Sequence, residues 1–365
     1  MREPFLSLRG ISKRFGTRSA LQDVDLSLHR DELLVVLGPT GAGKTTLLRT
    51  IAGLEQPTSG ALEIYGSDAL VRSPAERDVA FVFQNFSLYP DWSVRKNIEF
   101  PLRAPGRNLG EAALKERIEW AASLLKIGHL LDRKATRLSG GEMQRVAIGR
   151  AIVRRPRLFL MDEPLTNLDA KLREALRVEL VALRRELGTP MIYVTHDQAE
   201  ALSMADRIVV LSRGRVLQTG SPEVIYRLPE SPEVARQVGQ PRINLLPLQS
   251  SAGHWVTRSG VPLLQRLEHH PDATITLGVR PEDVRLEGGR HPAAVDIVEN
   301  TGPAQVAVLD WGGEQLRALV PKEVHLRVGD RVFPELDPAR VILWPRDSRS
   351  IAPLDSAFDP MRTNP

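Results

Sequence analysis

The chain has 365 residues, 42% of them hydrophobic and 26% charged, so two or three globular domains with ordinary cores are expected. It contains no cysteine, which excludes disulfides and Cys-based zinc sites and is compatible with a reducing compartment. The net charge of +4 comes from scattered basic residues, so a nucleic-acid footprint is weak. The N-terminus lacks the apolar core of a signal peptide, and every apolar run is far shorter than the ~20 residues of a membrane helix.

The first part of the chain alternates short apolar runs with helical patterns. The runs are continuous rather than alternating, as expected for strands buried on both faces of a parallel sheet. They predict strands at Leu33–Leu37, Val79–Phe83, Leu158–Met161, Met191–Thr195 and Ile208–Leu211. The patterns between them predict helices at Lys44–Ala52, Glu111–Lys126, Glu142–Arg154 and Ala170–Glu186. This order predicts an α/β domain over residues 1–237, with a helical subdomain at about residues 86–155.

The pattern changes around Ser231–Pro247, after which prolines, glycines and short alternating segments dominate. Strands are predicted at Ala273–Val279, Ala294–Val298, Gln305–Leu309, Gln315–Val320 and Arg331–Leu336. Turns such as Gly312-Gly313 and Gly329-Asp330 separate them. Together they predict an all-β domain of one or two small barrels over residues 238–346. The polar, proline-spotted tail over residues 347–365 is predicted to be disordered.

A phosphate-binding motif, G-x-x-x-x-G-K-[ST], lies between strand Leu33–Leu37 and a helix, which is the context that it requires. Its glycines let backbone N–H groups point at phosphates. Lys44 would reach the terminal phosphates, and the Thr45 hydroxyl would ligate Mg²⁺. The alternative, a glycine-rich turn that binds nothing, is disfavoured by the lysine and by the strand–loop–helix context. The predicted nucleotide contacts are Gly38, Pro39, Thr40, Gly41, Ala42, Gly43, Lys44, Thr45 and Thr46.

Polar side chains follow three of the predicted strands. Strand Leu158–Met161 ends in Asp162 and Glu163, which places both acids at the carboxyl edge of the sheet, where ligands bind. Asp162 is expected to be an outer ligand of Mg²⁺ and Glu163 to polarise the attacking water, the alternative being a solvated acidic turn. His196 would contact the γ-phosphate, and Gln84 would reach the metal or the attacking water. A lone His or Gln after a strand is also common in a purely structural role.

A second glycine-rich turn lies in the run Leu138–Glu142 and opens a helix-prone segment over residues 143–155. Free N–H groups at the start of a helix, with the positive end of its dipole, favour an anion. This turn has no lysine of the phosphate-loop kind. It is therefore interpreted as half of a site, for phosphates held elsewhere. Its predicted contact residues are Ser139, Gly140, Gly141 and Glu142.

Six motifs, in this order, resemble those of ATP-binding cassette (ABC) transporter ATPases. They are the phosphate loop, Gln84, Leu138–Glu142, Asp162-Glu163, Asn167-Leu168-Asp169 and His196. The resemblance extends to about residue 345 and implies a P-loop fold and a head-to-tail dimer. Each ATP would lie between the phosphate loop of one subunit and the Ser139-Gly140-Gly141 turn of the other. It also implies that Asp169 contacts the nucleotide and that Phe15 stacks on adenine, an ordinary core aromatic being the alternative for Phe15.

A closer resemblance is to the carbohydrate and polyol importer subgroup of these ATPases. It rests on Phe81–Gln84, Leu88–Pro90, Pro164–Arg173, Gly278–Glu282 and Asp337–Arg340. The last two segments resemble the subgroup's C-terminal OB-type regulatory barrels, the TOBE domain. That domain would bind a regulator or only widen the dimer interface, because fold does not decide function.

The resemblance implies an ATP-hydrolysing subunit bound peripherally at the cytoplasmic face of the inner membrane. Its partners would be a second ABC subunit, identical or different, integral membrane permeases and, indirectly, an extracytoplasmic solute-binding protein. The segment Asn85–Asn97 would carry movement to the permease, and the solute would be a sugar, polyol or glycerol phosphate. The alternative is a soluble ABC ATPase of nucleic-acid repair or translation, disfavoured by the single cassette without coiled-coil or zinc insertions. Export is disfavoured because exporter cassettes are commonly fused to membrane helices, and no nucleic-acid partner is expected.

Overall fold

The computed structural model describes residues 3–104, 109–265 and 273–345, so the predicted tail at 347–365 lies outside the described residues. The chain divides into two compact units, Met1–Glu223 and Val224–Pro365. The division falls within a short helix, and the sequence-based domain boundary at 237/238 stays a prediction. Among the described residues, no helix combines the length and the apolarity that crossing a membrane requires.

Among its described residues, the first unit contains ten strands and six α-helices. Its strands are β1 (Leu6–Phe15), β2 (Arg18–Leu28), β3 (Leu33–Leu37), β4 (Ser59–Ile64), β5 (Ser67–Asp68), β6 (Val79–Val82), β7 (Leu158–Asp162), β8 (Met191–Thr195), β9 (Arg207–Ser212) and β10 (Arg215–Gly220). Its helices are α1 (Lys44–Ala52), α2 (Val94–Glu99), α3 (Glu111–Leu124), α4 (Gly140–Ile152), α5 (Ala170–Leu187) and α6 (Gln198–Met204). The predicted strands and helices of this unit are therefore confirmed, with bounds that move by two residues or fewer.

Two shifted bounds have local causes. Helix α4 begins two residues before the predicted start because the Ser139 side chain accepts a hydrogen bond from the Glu142 N–H and caps the helix at Gly140. Helix α3 ends at Leu124, short of the predicted Lys126, whose backbone adopts a left-handed φ of 57° that a helix cannot continue.

The main sheet of this unit has the strand order β10-β9-β3-β8-β7-β6, and only β10 runs antiparallel to its neighbour. Every residue of β3, β7 and β8 is buried, as the continuous apolar runs predicted. Leu37 pairs with Thr195, and Asp162 pairs with Val194. The residues that follow these strands therefore leave the sheet side by side at its carboxyl edge.

A second, antiparallel sheet with the order β2-β1-β4-β5 was not predicted. Its strand β1 buries Leu6, Leu8 and Ile11, but the pairing with β2 shifts register between Leu8 and Ile11. This shift breaks the alternation that identifies a half-buried strand in a sequence. One apolar core packs both sheets against α1, through residues that include Leu6, Leu8, Leu34, Val36, Leu47, Ile51, Leu62, Leu160 and Val194.

The second unit is almost entirely β-structure. It contains β11 (Asn244–Ser251), β12 (His254–Val256), β13 (Pro262–Gln265), β14 (Thr274–Val279), β15 (Val284–Arg285), β16 (Ala293–Asn300), β17 (Ala304–Trp311), β18 (Glu314–Pro321), β19 (Arg331–Val332), β20 (Glu335–Leu336) and β21 (Ile342–Pro345). Two helices, α7 (Pro222–Arg227) and α8 (Pro232–Ala235), precede them. The antiparallel sheets have the orders β13-β12-β11-β14-β21, β15-β20 and β18-β17-β16-β19.

Four of the five strands predicted in this region are confirmed, together with the Gly312-Gly313 turn between β17 and β18. The prediction of one strand over Arg331–Leu336 is wrong, because the segment forms two short strands that stop on either side of Phe333-Pro334. Proline has no N–H to donate to a strand ladder, so it interrupts the pairing. One apolar core joins the sheets of this unit, and a smaller apolar cluster contains Ala235, Ile243 and Trp344.

Candidate functional site

The phosphate-binding motif forms the connection between β3 and α1. A side chain at Gly38 would place its Cβ 2.2 Å from the backbone oxygen of Leu211, so only glycine fits there. Gly43 precedes the helix with a left-handed φ of 106°. The backbone thus turns sharply from the sheet edge into α1, which directs the N–H groups of the first helical turn toward the loop.

Lys44 occupies the centre of this loop and is only 5% exposed. Its Nζ donates hydrogen bonds to the carbonyl oxygens of Gly38, at 2.9 Å, and Pro39, at 3.1 Å. The same Nζ lies 3.1 Å from Oε1 of Glu163. The three protons of the ammonium group are therefore directed at three protein oxygens, and phosphate oxygens would compete for the same donors.

Thr45 and Asp162 contact each other across the site. The Thr45 hydroxyl donates a hydrogen bond to Oδ1 of Asp162 at 3.0 Å. Burial raises the pKa of Asp162, and the Thr45 hydrogen bond opposes that shift. A hydroxyl and a carboxylate side by side are hard oxygen ligands of the kind that Mg²⁺ prefers, so this pair fits the metal. Within the described part of the chain, no group of three His, Cys, Asp or Glu residues could hold a metal by itself.

Glu163 joins the sheet edge to the loop that follows β8. Its Oε2 lies 2.8 Å from Nδ1 of His196, and the Thr166 hydroxyl donates to the same oxygen at 3.3 Å. Burial acts to raise the pKa of Glu163, but the hydrogen bond and charge of Lys44, with a smaller contribution from His196, outweigh it and hold this pKa below its usual range. Glu163 is therefore an ionised carboxylate at neutral pH, positioned to accept a proton.

A buried polar cluster beneath His196 was not found from the sequence. Tyr193 and Thr195 both donate to Oε2 of Glu200, at 2.9 and 2.6 Å. The Thr195 hydroxyl also accepts a hydrogen bond from the Asp197 N–H at 2.9 Å. Glu200 is only 4% exposed, and burial raises its pKa. The cluster fixes the turn that carries His196, and its only sequence signal is an acid in the first turn of the helix that follows the strand.

Gln84 lies in the turn after β6, at the same edge of the sheet. The side chain of Gln84 is exposed. Its backbone carbonyl oxygen accepts a hydrogen bond from Nδ2 of Asn167 at 3.0 Å. Asp169 caps α5, because its carboxylate accepts a hydrogen bond from the Leu172 N–H at 3.0 Å. Sequence reasoning named Asn167 only as part of a motif and did not identify its contact with Gln84.

The turn at Ser139 is a capping box. The Glu142 carboxylate accepts from the Ser139 N–H at 2.7 Å, while the Ser139 hydroxyl accepts from the Glu142 N–H at 3.3 Å. The hydrogen bond from the Ser139 backbone is the main cause that lowers the pKa of Glu142. The turn lies against Arg133 and against the segment from Asn167 to Leu172. Among the described residues, Lys44 makes its polar contacts with Gly38, Pro39 and Glu163, and none with this turn.

Phe15 is an exposed aromatic ring at the end of β1. It is 47% exposed, and the Lys13 ammonium lies 4.8 Å from its ring centroid. Phe15 pairs with Arg18 across the β1–β2 turn. The Arg18 guanidinium in turn lies 4.0 Å from where a Cβ of Gly41 would be. The ring is therefore not a core aromatic, and it stands on a hairpin that reaches the phosphate loop.

This fold and edge site define an ABC-type ATPase, and comparison with known proteins agrees. Residues 21–166 match the ABC transporter family, and residues 277–344 match the TOBE domain family, which confirms the predicted C-terminal domain. The chain belongs to the ATP-binding proteins of ABC transporters and is an ATP-hydrolysing enzyme.

Individual relatives make the similarity more specific. The chain is 42% identical over 345 residues to the sn-glycerol-3-phosphate import ATP-binding protein UgpC of Cupriavidus necator, covering 90% of this chain and 93% of that protein. It is 44% identical to UgpC of Jannaschia sp., covering 85% and 88%. A dimeric structure of the bacterial ABC transporter cassette MJ0796 is 30% identical, with a TM-score of 0.54, over 60% of this chain and 98% of that one. A nucleotide-free ABC cassette gives 26% identity and a TM-score of 0.58, over 65% and 100%.

Proposed function

We propose that this chain is the ATP-hydrolysing subunit of an importer that takes up a carbohydrate-type solute. Relatives that align with most of the chain carry the name of sn-glycerol-3-phosphate import proteins. Glycerol phosphate is therefore the favoured solute, with sugars and polyols as the wider class. The single observation that carries the ATPase assignment is the contact of Lys44, Glu163 and His196 at one sheet edge.

The site residues have distinct proposed roles. Lys44 binds the terminal phosphates of ATP, for which it exchanges its contacts with protein oxygens. Thr45 and Asp162 would hold Mg²⁺, which supplies charge neutralisation for the phosphates when it is bound. Gln84 would complete this group from the neighbouring strand end. Of the remaining predicted contacts, Thr40 lies within the loop and Thr46 in the first turn of α1, and Phe15 would stack on adenine.

Glu163 is the proposed base for water. Its ionised carboxylate accepts the water proton, and His196 orients the carboxylate through their 2.8 Å contact. Lys44 keeps Glu163 ionised until phosphates occupy the loop, since the ammonium lowers the pKa of that carboxyl. Phosphoryl transfer depends mainly on positioning and charge neutralisation, so few protein groups need to react.

The Ser139 turn would complete the site of a second subunit. The lack of polar contact between this turn and Lys44 among the described residues of one chain supports this arrangement, as does the dimeric form of a related cassette. Hydrolysis then requires two chains, while ATP binding requires one. Asp169, which caps α5, would contact the nucleotide at this interface.

The proposed partners follow from the import role. The chain would bind integral membrane permeases peripherally, at the cytoplasmic face of the inner membrane, through the segment Asn85–Asn97. An extracytoplasmic solute-binding protein would deliver the solute, and nucleic acid is not a partner. We further propose that the ATP-binding domain extends to about residue 237 and that the TOBE domain follows it.

Purification of the protein in complex with its partners tests the import role. The full chain carrying Glu163→Gln is expressed with an affinity tag in its native cells, and solubilised membranes are purified with ATP and Mg²⁺. We expect to recover a polytopic membrane protein, and not with Lys44→Ala, which cannot hold the phosphates. Recovery of ribosomes or DNA in its place would overturn the import role and favour a soluble ABC ATPase of translation or repair. Deletion of the chain should also abolish uptake of labelled sn-glycerol-3-phosphate.

A further inference from the structure

Arg150, on the last turn of α4, holds a backbone segment that belongs to the site. Its Nη1 donates to the carbonyl oxygen of Ser87 at 2.7 Å, and its Nη2 donates to that of Phe86 at 2.9 Å. Arg150 is half-buried. The mechanism above does not use this side chain, and its two contacts are to backbone rather than to an acid.

The segment held by Arg150 has an unusual backbone. Phe86 and Ser87 both have left-handed φ angles, of 60° and 49°. Residues other than glycine avoid this conformation and keep it only where the surrounding structure imposes it. The two carbonyl groups that the guanidinium binds are those of the two strained residues. The fork of Arg150 therefore stabilises this conformation, together with hydrogen bonds from the N–H groups of Phe86 and Ser87 to the carbonyls of Phe83 and Asn85.

The same segment is also attached at its other end. The carbonyl oxygen of Gln84 accepts a hydrogen bond from Asn167, which lies in the loop after Glu163. Residues 84–87 thus connect the sheet edge with α4: the Asn167 side chain binds the backbone at one end of the segment, and the Arg150 side chain binds it at the other. Helix α4 begins at the Ser139 turn, so a single stiff element links Arg150 to the proposed half-site.

We propose that Arg150 is a positioning residue: it fixes the segment Gln84–Ser87 on helix α4 and thereby sets the position of Gln84 relative to the Ser139 turn. The inference rests on the proposed function, which assigns Gln84 and that turn to ATP hydrolysis. A lysine would keep the charge but would not donate to both carbonyls in one plane, because only arginine has a planar fork.

The test compares Arg150→Lys with a matched change on the same helix. Arg145 also donates to a carbonyl oxygen, that of Leu125 at 3.1 Å, and it binds Glu179 rather than the strained segment. We expect Arg150→Lys to lower kcat for ATP hydrolysis about tenfold with KM changed by less than about twofold, since the phosphate loop is untouched. Arg145→Lys should leave both near wild type. Melting temperatures of the two variants separate a loss of folding from a loss of position.

A double-mutant cycle with Gln84→Ala makes the test specific. If Arg150 acts through this segment, Arg150→Lys lowers kcat by less than about twofold once Gln84 is alanine. The positioning role would be overturned if the two substitutions lowered kcat by independent factors that multiply in the double variant, or if the loss of kcat only followed a fall in melting temperature. If Arg150→Lys does not fold, Arg150→Gln replaces it. If Gln84→Ala alone leaves kcat unchanged, the role of Gln84 in the proposed function fails, and this inference fails with it. The failure of the inference alone is the case in which Gln84→Ala slows hydrolysis and Arg150→Lys multiplies that loss.

Discussion

Replacement of Glu163 by glutamine tests the role of the central carboxylate with the smallest change in shape. Glutamine cannot accept the water proton, and general-base catalysis contributes about 10²–10⁴-fold, so kcat should fall at least about 100-fold. The change also removes the ion pair between Lys44 and Glu163, whose side chains are 5% and 14% exposed, respectively. Lys44 keeps two carbonyl acceptors, so the free energy of unfolding should fall by only about 1–3 kcal/mol.

ATP binding should respond in the opposite sense to hydrolysis. Phosphate oxygens no longer compete with a carboxylate for the Lys44 ammonium, so the variant should bind ATP at least as tightly as wild type. The assays are steady-state phosphate release and equilibrium binding of a fluorescent ATP analogue. Glu179→Gln, which removes an ion pair with Arg145 of 2.7 Å, is the matched control and should leave kcat unchanged. Turnover within tenfold of wild type would refute the role of Glu163 as the base.

The pH dependence of stability gives a further check on the same carboxyl group. The folded-state pKa of Glu163 lies below its ordinary value of 4.5, so its ionised form stabilises the native state above that value. This contribution is lost as the pH falls through the folded-state pKa. The difference in melting temperature between wild type and Glu163→Gln should therefore be constant near neutral pH and shrink below about pH 4.5.

Three other changes test separate parts of the structure. Ser139→Arg should lower kcat much more than ATP affinity, since its turn is proposed to act on the partner's ATP; equal losses in both, measured by phosphate release and analogue binding, would argue against a composite site. Gly141→Ala would place a Cβ 2.5 Å from Cδ2 of Leu172, and this crowding opposes the ~1 kcal/mol by which alanine is favoured over glycine in a helix. In a denaturant titration Gly141→Ala should therefore stabilise more in a Leu172→Ala background than in wild type, and equal effects in both would argue against the contact. Burial, and then the hydrogen bond to Glu282, raise the pKa of Tyr226 to about 12, and burial also raises the pKa of Tyr193. Ultraviolet titration should therefore show late-ionising tyrosines, one of which ionises earlier in Glu282→Gln; an unchanged titration would show that Glu282 has no part in the shift of Tyr226.

The local sequence was sufficient for the elements whose signal is local. Strands β3 and β8 were predicted with the bounds observed, because a short, continuous and mainly apolar run has few alternatives in an α/β sequence to a buried parallel strand. The phosphate loop was equally clear, since its glycines and Lys44 stand at fixed spacing between a strand and a helix. The polar residues that directly follow β3 and β7 in the sequence also identified the carboxyl edge of the sheet as the position of the site.

The sequence was insufficient where pairing is irregular. Strand β1 has a register shift before Ile11, which hides its alternation, and the antiparallel sheet that contains it was not predicted. The segment Arg331–Leu336 was predicted as one strand, but Pro334 interrupts it, and the prediction did not take this proline into account. Such features depend on which strand lies alongside, and partners far apart in the chain leave no local signature.

By itself, then, the sequence determined the class of fold, the order of the motifs and the chemistry available to each residue. Only the tertiary structure decided which of these residues touch. Glu163 lies between Lys44 and His196 because the parallel register places the ends of β3, β7 and β8 at one level. The contacts of Arg150 and Asn167 with backbone carbonyls are likewise set by packing between distant segments. Residue types specify what a side chain can donate or accept, whereas long-range pairing specifies the atom that it meets.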